Sequence, residues 1–88
     1  MFYLYVLLSK KDSNLYIGVS TDVNERLKRH NSGHVLATKY RRPLVLIHSE
    51  KYSEKAKAFN RERFLKSLWG AREKKRIRET YLRGKNIK

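Results

Sequence analysis

Five side chains in this sequence are of types that together could hydrolyse a phosphate ester: Tyr5, Tyr16, Arg26, His30 and Glu62. A phenol whose pKa is lowered by a nearby metal and cationic groups can take a proton from water. An arginine can grip a phosphate through its planar fork. A histidine can assist proton transfer, and a carboxylate can bind a divalent metal ion. The set therefore predicts metal-assisted cleavage of a phosphodiester bond.

Each of these residues also has an ordinary structural interpretation when it is taken alone. Core tyrosines commonly use their hydroxyls in hydrogen bonds. Arg26 could be a surface arginine, and His30 could be a histidine favoured at a helix end by the helix dipole. The functional interpretation depends on the residues lying together.

Glu62 is the most informative single residue, because it falls within the apolar stripe of a predicted helix. Ala58, Glu62, Leu65 and Trp69 recur at i, i+4, i+7 and i+11. Burying an ionised carboxylate is costly unless it is paired or binds a metal. A salt bridge to an arginine, or a position at the edge of the stripe, would also explain Glu62. In the company of the other four residues we favour a metal ligand.

The elements that must position these side chains follow from periodicity. Residues 2–9 and 15–20 alternate as β-strands around a turn at 10–14, so they should pair as an antiparallel hairpin. If Tyr5 and Tyr16 face the same side, their hydroxyls can converge on one pocket.

A first helix is predicted directly after the hairpin. Asp22 and Glu25 resemble a capping box, and Gly33 can take the left-handed conformation that ends a helix. On this helix Arg26 and His30 share one stripe at i, i+4.

The second half of the chain completes an α+β domain. A basic loop, 34–43, precedes a third strand at 44–47, and a helix then runs from about residue 53 to about Trp69. A final helix covers residues 71–83. The order β-β-α-β-α-α predicts a small three-stranded sheet, antiparallel or mixed, flanked by helices.

The net charge points to a polyanionic partner. The 88 residues include 22 Lys or Arg against 8 Asp or Glu, a formal charge of +14. Such an excess attracts nucleic acid through steering and counterion release. A solvated charged surface is the ordinary alternative, and an anionic membrane is a weaker one. We expect nine residues to contact nucleic acid: Lys28, Arg29, Lys39, Arg41, Arg42, Lys66, Arg72, Lys74 and Lys75.

Composition excludes several classes of protein. The chain has no cysteine, which excludes disulfide-linked partners and thiolate zinc sites, and its three histidines have no metal-ligand spacing. The apolar start, 2–8, is too short to span a bilayer and lacks the layout of a signal peptide. We expect a cytoplasmic protein with one domain over 1–83 and a flexible tail over 84–88.

As a whole, the pattern resembles the GIY-YIG endonuclease superfamily, particularly its small stand-alone single-domain members. The matches, which span residues 2 to about 78, are Tyr3-Leu4-Tyr5, Tyr16-Ile17-Gly18, Arg26, His30-Asn31-Ser32-Gly33, Arg42-Pro43 and Glu62 with Leu65-Lys66. Two positions depart from the pattern. Several members carry an asparagine at the position of Lys74, and some carry a lysine at the position of Val19.

The resemblance implies a role for each residue. Tyr5 matches the tyrosine implicated in activating or orienting the attacking water, and Tyr16 a second tyrosine beside it. Arg26 matches the arginine that stabilises charge on the scissile phosphate. Glu62 matches the single carboxylate that ligates Mg²⁺ or Mn²⁺. His30 matches a histidine that part of the superfamily carries close to the catalytic tyrosine.

These roles imply a metal-dependent endonuclease that cuts DNA in preference to RNA, with little sequence specificity and with room for selectivity towards DNA structure. A non-catalytic nucleic-acid-binding module on the same scaffold would explain the charge and Lys74, but it gives no reason for Glu62. A basic ribosome- or RNA-associated structural protein would explain charge and length alone. The sequence leaves substrate structure and oligomeric state open.

Overall fold

Strands and helices follow one another in the predicted order β-β-α-β-α-α. The computed structural model describes residues 1–86, and side chains as far as residue 84. Short 3₁₀ helices at Lys39–Arg41 and Leu68–Gly70 lie between the main elements. The main elements are β1 (Phe2–Ser9), β2 (Leu15–Ser20), α1 (Val23–Asn31), β3 (Leu44–Tyr52), α2 (Lys55–Lys66) and α3 (Ala71–Asn86). No helix among residues 1–86 combines the length and apolarity needed to cross a bilayer.

The sheet is antiparallel throughout, with β1 in the middle and the order β2-β1-β3. Tyr5 of β1 lies opposite Gly18 on one side and Ser49 on the other. β3 continues to Tyr52, beyond the predicted range 44–47, because it pairs with β1 on both sides of a bulge between Val6 and Leu7. The α+β class and the three-stranded sheet are confirmed.

Alternation along β1 divides the interior into two apolar clusters. The cluster on the α2 and α3 side contains Leu4, Val6, Ile17, Leu65 and Ile77. The cluster on the α1 side contains Tyr5, Leu7 and Leu44, with Tyr16, Val23, Leu27 and Leu46 packed against it. Each aliphatic side chain buried in this way contributes about 1.5–3 kcal/mol. β1 therefore stabilises both halves of the molecule, and the tyrosines belong to the half that α1 covers.

Both predicted ends of α1 are confirmed. The carboxylate of Asp22 accepts a hydrogen bond of 3.1 Å from the backbone N–H of Glu25. Past the other end, Gly33 has a φ of 87°, the left-handed conformation that glycine adopts without steric cost. These caps fix where α1 begins and ends, and hence which way Arg26 and His30 face.

α2 ends at Lys66, and the predicted extension to Trp69 is wrong. Ser67 takes an extended conformation, with φ −85° and ψ 169°. Its hydroxyl donates to the carbonyl of Phe64 at 2.6 Å, competing with continuation of the helix. Trp69 consequently leaves the apolar stripe and is 84% exposed.

A polar network joins β3, α2 and α3 on the side away from the tyrosines. Arg61 donates to both carboxylate oxygens of Glu50 and to Glu73, each at 3.0 Å. His48 and Tyr52 also donate to Glu50. Burial would raise the pKa of Glu50, but the hydrogen bonds from Arg61, His48 and Tyr52 outweigh it and lower that pKa to about 2. The network holds the two later helices against the sheet.

The predicted tail, 84–88, lies partly within the described chain. α3 continues through residues 84–86. Residues 87 and 88 lie outside the described residues.

Candidate active site

Tyr5, Tyr16 and His30 form one aromatic cluster between β1, β2 and α1. The ring centroids of Tyr5 and Tyr16 lie 6.5 Å apart. Those of Tyr16 and His30 lie 4.8 Å apart, and those of Tyr5 and His30 lie 5.9 Å apart. Tyr5 and His30 are almost fully buried, whereas Tyr16 is half-buried. The structure thus brings three of the five predicted catalytic residues into direct contact.

A chain of hydrogen bonds runs from Tyr5 through His30 to Thr38. The Tyr5 hydroxyl lies 3.1 Å from Nε2 of His30, and Nδ1 of His30 lies 2.8 Å from the Thr38 hydroxyl. The Thr38 hydroxyl also has the carbonyl of Val35 at 3.5 Å as an acceptor for its own proton, and we therefore assign it as the acceptor of Nδ1–H. A neutral imidazole then has no proton on Nε2, and the Tyr5 hydroxyl must donate to it. This assignment of the tautomer follows from the hydrogen-bond partners.

The local electrostatics keep this chain in one protonation state. Burial, with help from Arg26 and Arg29, lowers the pKa of His30. Burial raises the pKa of Tyr5 to about 12, and Tyr16 adds to that effect, while the guanidinium of Arg26 opposes it. At neutral pH the phenol is protonated and the imidazole is neutral. Arg26 acts on both groups, which places its charge beside them.

Gly18 provides the space that Tyr5 occupies. A Cβ atom at Gly18 would lie 2.4 Å from the Tyr5 hydroxyl oxygen and 2.5 Å from the ring carbon that carries it. Any larger residue would push the hydroxyl away from His30.

Glu62 approaches this cluster from α2. Its side chain is 19% exposed, and its Oε2 accepts a hydrogen bond of 3.0 Å from Lys66. The negative charge of Glu62 is a minor cause of the raised pKa of Tyr5, so the two groups interact. Ala58 and Leu65, its predicted neighbours in the stripe, are completely buried. The salt-bridge alternative is thus partly realised, through a lysine on the same helix.

The donors around Glu62 limit what kind of metal the protein can hold. Among residues 1–86, no three His, Cys, Asp or Glu side chains lie close enough together to enclose an ion. Mg²⁺ commonly takes one or two carboxylates and draws its other ligands from water and substrate phosphates. Glu62 alone fits a Mg²⁺ or Mn²⁺ ion of that kind.

The nine basic residues predicted to bind nucleic acid lie in three regions. Lys28 and Arg29 are exposed on α1. Lys39 and Arg42 line a shallow cleft with Lys11 and Tyr40. The third region, on α2 and α3, contains Lys66, Arg72, Lys74 and Lys75. The predicted residues are thus spread over α1, the 39–42 loop and the α2–α3 region.

Arg41, like Arg42 and Lys66, already makes hydrogen bonds within the protein. Its Nε donates to Asp12 at 3.1 Å, and its Nη2 donates to the carbonyl of Leu15 at 3.4 Å. The side chain is 24% exposed. These contacts tie the loop before β3 to the β1–β2 turn and occupy much of the guanidinium.

Thr38 is the site residue that the sequence does not reveal. It is completely buried and touches Nδ1 of His30. It lies eight residues after His30 in a polar loop, where no periodicity or motif distinguishes it from its neighbours. Its importance comes from the way the loop folds back over α1.

Comparison with known proteins identifies a matching family model and several similar proteins. A family model described as the GIY-YIG catalytic domain matches residues 1–84. A UPF0213 protein of Staphylococcus haemolyticus is 38% identical over 78 residues, covering 88% of this chain and 94% of the relative. One from Natronomonas pharaonis is 37% identical over 76 residues, covering 85% of this chain and 88% of the relative. The solution NMR structure of a UPF0213 protein from Bacillus halodurans, 34% identical, matches with a TM-score of 0.54 and covers 88% of this chain and 82% of that one.

Proposed function

This chain belongs to the GIY-YIG catalytic domain family, and we propose that it is a metal-dependent endonuclease that hydrolyses phosphodiester bonds in DNA. The observation that carries the proposal is the buried hydrogen-bond chain of Tyr5, His30 and Thr38, with Arg26 beside it and Glu62 close enough to act on Tyr5.

The first chemical task is to remove a proton from the attacking water. The phenol oxygen of Tyr5 keeps lone pairs that can accept this proton, while its own proton passes along the existing hydrogen bond to Nε2 of His30. Neutral His30 is in the correct state to receive it, because burial, Arg26 and Arg29 lower its pKa. Arg26 also favours the phenolate character that Tyr5 gains during the transfer. Tyr16 borders both rings and supports their positions.

The second task is to stabilise charge on the phosphate. Arg26 carries a planar cation next to the hydroxyl that directs the water, and such preorganised charge is often the largest single contribution to catalysis. Glu62 would hold Mg²⁺ or Mn²⁺ together with the substrate. The bound ion would neutralise charge on the phosphate and on the leaving oxygen.

The third task is to hold DNA. The basic residues on α1, in the 39–42 loop and on α3 carry charges that suit phosphates and have no evident means of reading base edges. Binding should therefore show little sequence preference and should weaken steeply as salt is raised. A shallow salt dependence would contradict this part of the proposal.

One observation favours a second candidate, a non-catalytic nucleic-acid-binding module. Glu62 is already paired with Lys66, so its charge is compensated without a metal. A module would keep the fold and the basic surface and would have no use for the proton path.

Cleavage and binding assays separate these candidates. Purified protein is incubated with single-stranded, duplex and branched DNA in Mg²⁺, Mn²⁺ or EDTA, alongside Glu62→Gln. Glu79→Gln is the matched control, because Glu79 is exposed on α3. We expect the parent and E79Q to cut DNA, and E62Q to bind it without cutting. Binding without cleavage by the parent, on every substrate and with either metal, would identify the module instead.

A further inference from the structure

The 3₁₀ helix between α2 and α3 exposes two large apolar side chains. Leu68 is 93% exposed and Trp69 is 84% exposed. Isolated apolar residues on a surface are common. An almost fully exposed indole next to an almost fully exposed leucine is instead a feature of binding surfaces. Trp69 is also the one tryptophan of the whole chain.

Basic side chains surround the indole. Trp69 lines a shallow cleft with Phe64, Arg72 and Arg76. Glu73, the acid of this cleft, is engaged by Arg61 and Arg76. Arg72 is exposed and makes no ion pair among the described residues. The cleft thus offers a flat aromatic face beside a guanidinium that is available to a ligand.

We propose that Trp69 and Arg72 bind an unpaired stretch of the DNA substrate, with a base stacked on the indole and a neighbouring phosphate held by the guanidinium. Base stacking on aromatic side chains combined with a basic path for the backbone is how proteins hold single strands without reading their sequence. This inference rests on the proposed function, since it takes DNA to be the substrate. It extends that function by assigning the substrate class, namely duplex DNA that adjoins a single strand.

The position of the cleft just past the end of α2 supports this occupant. α2 continues from Glu62 to Lys66, and Trp69 lies in the 3₁₀ helix that follows Ser67. Seven residues of chain span at most roughly 25 Å, so a strand whose phosphate lay at Glu62 would reach Trp69 within roughly seven nucleotides. Glu62 borders a different cleft, with Phe59, Arg63, Lys66 and Ser67, so the strand would have to pass around the end of α2. A flexible single strand can make that turn, whereas a stiff duplex cannot.

Two other occupants fit the observations less well. A second copy of the chain would meet the same charge, because residues 61–76 contain seven basic and two acidic side chains. An anionic membrane would suit the mixture of Trp69, Leu68 and arginine, but it would bear no relation to Glu62 on the preceding helix α2.

Trp69 provides its own reporter for the experiment. The full chain is titrated in EDTA, so that no DNA is cut, with oligothymidylate, with a blunt duplex and with a forked duplex. We expect the single strand and the fork to quench tryptophan emission and the blunt duplex to leave it nearly unchanged. Phosphatidylglycerol vesicles and serial dilution of the protein serve as further arms.

Variants link the signal to affinity. With labelled DNA and anisotropy detection, Trp69→Ala should bind the single strand and the fork roughly 5- to 100-fold more weakly, and the blunt duplex with roughly parental affinity. Trp69→Phe should recover most of the loss, because it restores an aromatic face. Leu68→Ala is the matched control, since it removes an equally exposed side chain without a π-face, and it should bind like the parent.

The outcomes are decisive in both directions. The inference is overturned if W69A binds single strands as tightly as the parent, or if emission responds to vesicles or to self-association and not to DNA. Cleavage by the parent together with unchanged binding by W69A would remove this inference and leave the nuclease in place. Quenching by single strands without cleavage in any metal would keep the single-strand site and remove the nuclease.

Discussion

The Tyr5 hydroxyl donates its hydrogen to Nε2 of His30 across 3.1 Å, within the buried interior between β1 and α1. Thr38 accepts from the opposite ring nitrogen, so the direction of the Tyr5–His30 bond is set. The phenol therefore has one internal acceptor for its proton.

Tyr5→Phe should lower the rate of DNA cleavage roughly 10²- to 10⁴-fold, the usual cost of losing a positioned proton acceptor. The ring stays in the apolar cluster, so the free energy of unfolding should fall by no more than about 1–3 kcal/mol, for the unpaired Nε2 of His30. Single-turnover cleavage and urea denaturation measure the two effects. Tyr3→Phe, on the same strand, is the control and should cut DNA at the parental rate; equal rates for Y5F and Y3F would remove Tyr5 from the mechanism.

Thr38→Val should lower cleavage at least about tenfold, because without an acceptor at Nδ1 the proton of His30 can move to Nε2 and reverse the bond with Tyr5. Thr38→Ser keeps the hydroxyl and should restore the parental rate. The pH–rate profile of T38V should also change in shape, which a simple loss of packing would not cause. Identical profiles for T38V and T38S would show that Thr38 is merely a packing residue.

Gly18→Ala should destabilise the protein by about 1–3 kcal/mol and impair cleavage together, because the added methyl group overlaps the Tyr5 hydroxyl. Gly84→Ala provides the matched control. A Cβ at Gly84 meets no atom within 4 Å, and alanine should stabilise this helical position by about 0.5–1 kcal/mol. Thermal unfolding of both variants, with cleavage assays, tests the prediction; an unaffected G18A would mean that Tyr5 can move freely.

Lowering the pH should destabilise the protein, because His30 is neutral in the folded state. Its pKa in the folded protein is lowered from the ordinary 6.5, so the unfolded chain binds more protons just below that value. The free energy of unfolding should accordingly decline as pH falls below 6.5, with no such penalty above it. His30→Gln cannot titrate and should show a flatter profile in this range. Parallel profiles for parent and H30Q in urea denaturation would contradict the assignment.

Ionisation of Glu50 should be the main cause of pH-dependent stability at more acidic pH. Burial alone would raise its pKa, but the donors around it lower that pKa from 4.5 to about 2. The resulting stabilisation is complete above about pH 4.5 and is lost as pH falls towards 2. Glu50→Gln should cost about 1.5–3 kcal/mol at pH 7, a difference from the parent that shrinks in acid. Glu79→Gln, at an exposed site, should change stability little at either pH.

Much of the fold follows from local signals in the sequence. Alternation along β1 and β2 leaves open whether Tyr5 and Tyr16 share a face, and the register that pairs Leu7 with Tyr16 places them on one side. Asp22 and Gly33 mark the ends of α1 as predicted. These signals work because strand period and capping depend on neighbouring residues. The hairpin predicts the antiparallel pairing of β1 with β2, whereas the direction of β3, which the sequence leaves open, is set by its antiparallel pairing with β1.

The sequence gives less guidance where long-range packing decides. Trp69 continues the spacing of an apolar stripe. Ser67 nevertheless ends α2 before Trp69, and α3 begins at Ala71. In the sequence, Arg41 cannot be told apart from other basic loop residues. Its ion pair with Asp12 forms only when the loop folds against the β1–β2 turn. Thr38 contacts His30 because the loop after α1 folds back over that helix. No sequence pattern predicts this fold of the loop.

The middle position of β1 has a consequence for how the protein is made. β1 is synthesised first, but its partner β3 ends at residue 52, and α2, which carries Glu62, is made later still. A two-stranded hairpin alone is barely stable in water. On the ribosome, both tyrosines, Arg26 and His30 therefore emerge well before the sheet can close around them. The carboxylate of Glu62 joins them only after α2 has emerged, so the complete site forms after the whole sheet has been synthesised.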